Sequence, residues 1–131
     1  MTTPRTVRIV RILATGIAVL FGVVTLFAGG RVLLGSDPGY EVFRPLLVYN
    51  TAMGVAYLAA GIAIWRSVNA GRYAAGAIFL LNLLVLVGIV VIYRSGGAVA
   101  VDSLRAMTLR TGVWLALFIA ASWLARSRTA V

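Results

Sequence analysis

Cysteine and histidine are both absent from this chain. That excludes disulfides, thiolate catalysis, histidine-ligated haem and the usual zinc sites. It also excludes four-helix membrane enzymes that exchange disulfides with quinones, because these need cysteine pairs. Lysine is missing as well. Acidic residues are scarce: Asp37, Glu41 and Asp102 stand against twelve positive charges, all arginine, for a formal net charge of +9. Charged residues make up only 11% of the chain.

What fills the space instead is apolar. Hydrophobic residues reach 62% and the mean hydropathy is +1.03, far from a soluble domain, which is about half apolar and a quarter charged. With 131 residues the chain is one domain in size. Too few polar residues are present to coat a soluble core. The arginines flank apolar windows rather than forming a patch, so nucleic acid is not the expected anion and lipid headgroups are.

The organising stretch runs from Arg44 to Arg94. It holds two uncharged windows, 45–65 and 73–93, each of 21 residues and each bounded by arginine. Twenty-odd apolar residues at about 1.5 Å each match a hydrocarbon core of roughly 30 Å. The link 66–72 is short, so the pair must cross the membrane and return. A basic start with Arg5, Arg8 and Arg11 precedes the uncharged run 12–30. That run is longer than a secretory signal's apolar region of about 7–15 residues, which favours a retained first helix. Gly29, Gly30 and Gly35 are expected to loosen its end before the turn Ser36-Asp37-Pro38-Gly39. Pro45 suits a first helical position. Asp102 or Ser103 is the expected N-cap of a fourth helix. The spacing therefore predicts an all-α integral membrane bundle of four transmembrane helices, at about 10–34, 45–66, 72–94 and 103–125.

Arginine bias predicts the orientation. One side carries Arg5, Arg8, Arg11, Arg66, Arg72, Arg126 and Arg128 with no acid; the other carries Arg31, Arg44, Arg94, Arg105 and Arg110 with all three acids. The positive-inside rule places both termini in the cytoplasm, in the inner (plasma) membrane of a bacterium. Seven against five is a narrow margin, so dual topology is the alternative. The second and third windows also hint at an inverted pair.

Membrane helices associate through small residues and a few hydrogen bonds. The first helix has such a stripe at Thr15, Ala18, Gly22, Thr25 and Gly29, and the second at Asn50, Gly54, Tyr57 and Gly61. Asn82 falls near mid-membrane, level with Gly54, and is expected to pack on that glycine and bond a backbone carbonyl. The simplest role for Asn50 and Asn82 is to tie helices together; the functional alternative is a ligand or transport path through Asn50, Tyr57, Asn82 and Arg110. Arg110 sits inside its helix and must reach outward or pair, with Glu41 or Asp102 as natural partners. An outer charge cluster of Asp37, Glu41, Arg44, Asp102 and Arg105 follows, able to tie loops to helix ends or to form a site. No spacing is that of a catalytic motif, so no catalytic residue, metal or cofactor is expected.

The families of small bacterial four-helix proteins narrow this further. Small multidrug exporters need an acid in the first helix, and none lies between Arg11 and Arg31. The arginine and asparagine motifs of fluoride channels are not in place. Trimeric glutathione-using enzymes need arginine, asparagine and glutamate in the second helix, where only Asn50 is present. The layout most resembles the DoxX-like group of four-helix membrane proteins. The likeness lies in Arg11-Ile12-Leu13, Phe27-Ala28-Gly29-Gly30, Leu33-Leu34-Gly35, Gly54-Val55, Ala60-Gly61 and Tyr73-Ala74-Ala75. The acid often found in that group's second helix is missing here. The resemblance implies an accessory role beside a membrane redox or envelope complex. The expected function is binding, of another membrane protein or of a lipid-like molecule, with membrane lipids, the chain itself or another integral membrane protein as partners. A small oligomeric transporter or channel is the alternative.

Overall fold

A computed structural model describes residues 3–129. The described chain is four helices, α1 (Pro4–Leu33), α2 (Arg44–Arg66), α3 (Val68–Arg94) and α4 (Val101–Thr129). Each is long and apolar enough to cross a membrane. The all-α four-helix architecture is the one expected, with four boundaries corrected: the starts of α1, α3 and α4, and the end of α4, which runs to Thr129 rather than 125.

The first helix begins at Pro4, not near residue 10. Thr3 caps it, its hydroxyl accepting from the Thr6 N–H at 3.1 Å, and Pro4 takes the first position, where its missing N–H costs nothing. Gly29 and Gly30 stay helical. The helix ends at Leu33 and is closed two residues on by Gly35, whose φ of 111° allows a Schellman motif: Ser36 N–H donates to the Arg31 carbonyl and Gly35 N–H to that of Val32, both at 3.0 Å.

Between α2 and α3 the expected link of 66–72 shrinks to Ser67. This single extended residue ends one helix and caps the next, its hydroxyl accepting from Ala70 N–H at 3.4 Å. So sharp a reversal needs a bare backbone at Gly71, where an added Cβ would lie 2.6 Å from Ile64 Cα. The fourth helix starts at Val101. Asp102 therefore lies in its first turn rather than capping it, and Ala100 carbonyl accepts from Ser103 and Leu104 N–H. A carboxylate there still suits the positive end of the helix dipole.

The helices run alternately up and down, α1 packing chiefly on α2 and α3 on α4, with α1 against α4 the thinnest of the four neighbouring seams. The two small-residue stripes face each other as expected. A Cβ on Gly22 would meet the Gly54 carbonyl at 2.9 Å, and one on Gly61 would meet the Ala18 Cβ at 3.2 Å. Backbones this close gain dispersion contacts that lipid tails could not replace. Both described ends and the Ser67 turn share one end of the bundle, here the terminal end; the other two loops form the loop end.

At the terminal end Arg11 of α1 answers the orphan carbonyls that close α2. Its Nε donates to Ile64 at 3.3 Å, its Nη2 donates to Trp65, and its guanidinium lies 5.3 Å from the centre of the Trp65 ring. Val7 and Val10 join Val68 and Leu124 there, so α1 and α4 are closed together. The loop-end cluster is built otherwise, from Leu46, Ile89, Val99 and Met107 with neighbours on α2, α3 and α4 and none on α1. The α1–α4 seam is thus shut at one end and parted at the other.

Gly54→Leu should separate α1 from α2, because the first added carbon already lies 2.7 Å from Leu26 Cγ and 3.2 Å from Leu26 N. An overpacking loss of about 1–3 kcal/mol is expected, read as a lower unfolding midpoint in detergent. Gly88→Ala, with open space beside it, should leave that midpoint unchanged or raise it.

Candidate binding site

Two groups of polar side chains in the spans differ in kind, one closed and one open. Asn82 of α3 anchors the closed group. It is fully buried, its Oδ1 accepts from Tyr49 Oη at 2.9 Å, and its Nδ2 donates to Tyr57 Oη at 3.2 Å. Tyr57 in turn stacks on Trp114 of α4, with ring centres 4.8 Å apart and an interplanar angle of 25°, and meets Phe21 of α1 edge-on at 6.2 Å. One knot thereby touches all four helices.

This corrects the expected partner of Asn82. No backbone carbonyl is involved, and Gly54 receives Leu26 of α1 instead. The depth estimate holds, since Gly54 lies between Tyr49 and Tyr57 along α2. Tyr49 was not among the expected site residues. Its signal was a phenol within an apolar span, eight residues before Tyr57 and able to reach the same amide from the other side.

The open group lies toward the loop end. A chamber of about 280 Å³ sits among α1, α2, α4 and the α1–α2 loop, with Arg31, Asp37, Tyr40, Asn50, Ser103 and Arg110 on its walls. Asn50 Oδ1 is buried and makes no hydrogen bond. Arg110 is half-buried, about two and a half turns past the start of α4. It makes no hydrogen bond or ion pair among the described residues.

The outer charge cluster does not assemble as ion pairs. Glu41, Arg44, Asp102 and Arg105 are all exposed and lie off the chamber wall. No ion pair joins Asp37, Glu41 or Asp102 to an arginine among the described residues, so the expected pairing of Arg110 with Glu41 or Asp102 is absent. Asp37 bonds its own loop, accepting from Gly39 N–H at 2.8 Å. Of the expected path, Asn50 and Arg110 meet in the chamber, whereas Tyr57 and Asn82 stay in the closed knot.

A second cavity, of about 270 Å³, continues from the first along the parted α1–α4 seam. Its walls are Leu20, Phe21, Val24 and Leu109, and it shares Thr25, Ala28, Ala106 and Arg110 with the chamber. Leu20, Val24 and Leu109 are each more than half exposed. The groove therefore opens sideways, toward lipid. Arg110 stands where the polar chamber becomes an apolar groove.

Fold and cavities together define a multi-pass membrane bundle with a sealed polar core and a laterally open, arginine-lined recess. The chain matches no family model, no curated protein and no solved structure.

Asn82→Leu should strand the Tyr49 and Tyr57 hydroxyls in an apolar interior. A loss of about 0.6–2 kcal/mol is expected, measured as a fall in unfolding free energy in mixed micelles. Adding Tyr49→Phe and Tyr57→Phe should recover part of it, because neither phenol is then left there to go unpaired.

Proposed function

We propose that the protein is a non-enzymatic bundle of the bacterial inner membrane that acts by binding a lipid-like molecule. The observation that carries this reading is Arg110, a cation within a span that no carboxylate neutralises, at the mouth of a recess open to lipid. A guanidinium so placed is disfavoured by a few kcal/mol unless something answers it. In a membrane the abundant answering group is a lipid.

Conduction is less well supported. A path through Asn50 and Asn82 would need a continuous polar lining, and Asn82 is fully buried with its oxygen and nitrogen both bonded to tyrosines. The likeness to DoxX-like proteins adds an accessory role, in which the bundle holds its ligand beside another integral membrane protein or a second copy of itself. Catalysis has no support in the recess, whose one carboxylate, that of Asp37, is engaged by its own loop.

Native mass spectrometry from mild detergent should find one lipid-like molecule retained per chain after delipidation conditions that strip the outer surface. A sample that carries no lipid and takes none up from added vesicles would remove this reading. Orientation is tested separately. With both termini cytoplasmic, tags at the two ends should be cleaved by protease only in inverted vesicles; cleavage of both from intact spheroplasts would reverse it, and cleavage in both preparations would mark dual topology.

A further inference from the structure

We infer that the recess takes a phosphate-bearing membrane lipid, headgroup in the chamber and one chain in the α1–α4 groove; this rests on the binding reading above and names its ligand class. The phosphate follows from the charges. Arg110 lines the chamber, and its guanidinium fork matches phosphate oxygens in a way that a neutral headgroup cannot; Arg31, on the same wall with its guanidinium 5.4 Å from the centre of the Phe27 ring, adds a second positive charge at the exposed rim. The remaining lining asks for a donor on the same head. Asn50 Oδ1 is buried and unbonded, and Asp37, whose Oδ1 is taken by Gly39 N–H, lines the chamber with a second carboxylate oxygen that has no protein donor among the described residues. A hydroxyl or ammonium group beyond the phosphate would meet both acceptors, as a bare phosphate would not.

The chain follows from continuity. Thr25, Ala28 and Ala106 line both cavities around Arg110, so a molecule with its phosphate on that arginine has the apolar groove directly beside it. Leu20, Phe21, Val24 and Leu109 flank the course of that chain. The groove's walls reach no deeper than Leu20 and Phe21, near the middle of α1, so the chain runs no further than the middle of the bundle. Entry is sideways from the leaflet on the loop side, with no need to unpack the Asn82 knot.

The test is competition for the bundle in nanodiscs of a neutral-headed matrix lipid, read by native mass spectrometry and by the shift in thermal midpoint. The probes are phosphatidylglycerol, phosphatidic acid, diacylglycerol and inorganic phosphate. Phosphatidylglycerol should bind best, phosphatidic acid more weakly, diacylglycerol weakest of the lipids, and inorganic phosphate should not displace any of them. Arg110→Gln should weaken phosphatidylglycerol about tenfold or more, the worth of one charge-assisted hydrogen bond. Ala28→Phe, which fills the mouth of the groove from an exposed position, should weaken all three lipids. Arg105→Gln, off the chamber wall, should change nothing. Equal binding of diacylglycerol and phosphatidylglycerol, or equal losses in Arg110→Gln and Arg105→Gln, would overturn the phosphate assignment while leaving lipid binding intact. Loss of all lipid binding to the folded wild-type bundle would overturn both.

Discussion

The structure depends on the absence of water from the span. Where lipid offers no hydrogen bond, each polar side chain must find a partner on another helix or reach an aqueous edge. Asn82 does the first, and does it completely enough to link α2 and α3 through two tyrosines and, by the Tyr57–Trp114 stack, α4 as well. Arg11 does the same at the terminal end, where its guanidinium serves carbonyls that close α2. Arg110 and Asn50 are left without such partners by the protein itself. The contrast sets scaffold beside site: Asn82 and Arg11 are paired within the bundle, whereas Arg110 and Asn50 line a cavity; Thr15 Oγ1 and Trp114 Nε1 are also buried without a partner, but away from both cavities.

Helix number and span were legible because lipid imposes a simple rule on length and polarity. The paired arginines around 45–65 and 73–93 needed no tertiary information to interpret. The glycine stripes were legible for a similar reason, since small residues at spacings of three and four lie on one helix face. Boundaries were harder. The Thr3–Pro4 and Ser67 caps compete with a hydropathy pattern that fades into polar residues, and hydropathy alone misplaced both starts.

The site was legible only in part. Asn50 and Arg110 stood out as polar residues inside apolar spans, and they do share a cavity. Their partners were not readable, because which side chain meets an amide depends on helix rotation and on the length of the reaching group. Gly54 lies at the right depth for Asn82, yet two phenols from above and below reach it first. The charge cluster misled for a different cause. Sharing one side of a membrane brings charges to the same surface, but exposed pairs gain little there, on the order of 0–1 kcal/mol. Nothing compels Glu41 or Asp102 to turn inward.

Why the recess lies between α1 and α4 follows from how each seam is held. Glycines let α1 and α2 touch backbone to backbone, and Gly76 gives Phe118 of α4 a seat on α3. A one-residue turn and the Asn82 knot bind α2 to α3. The fourth seam has no loop to tie it, and no glycine of α1 or α4 brings those two helices backbone to backbone. Valine and leucine contacts close it at the terminal end, and the central core cluster takes in Ala14 and Ala18 of α1 with Trp114 and Leu117 of α4. A bundle built as two tight hairpins joined at Ser67 must leave its loosest edge opposite that joint. Arg110 sits on that edge, lining both cavities and bonded to none of the side chains that hold the fold.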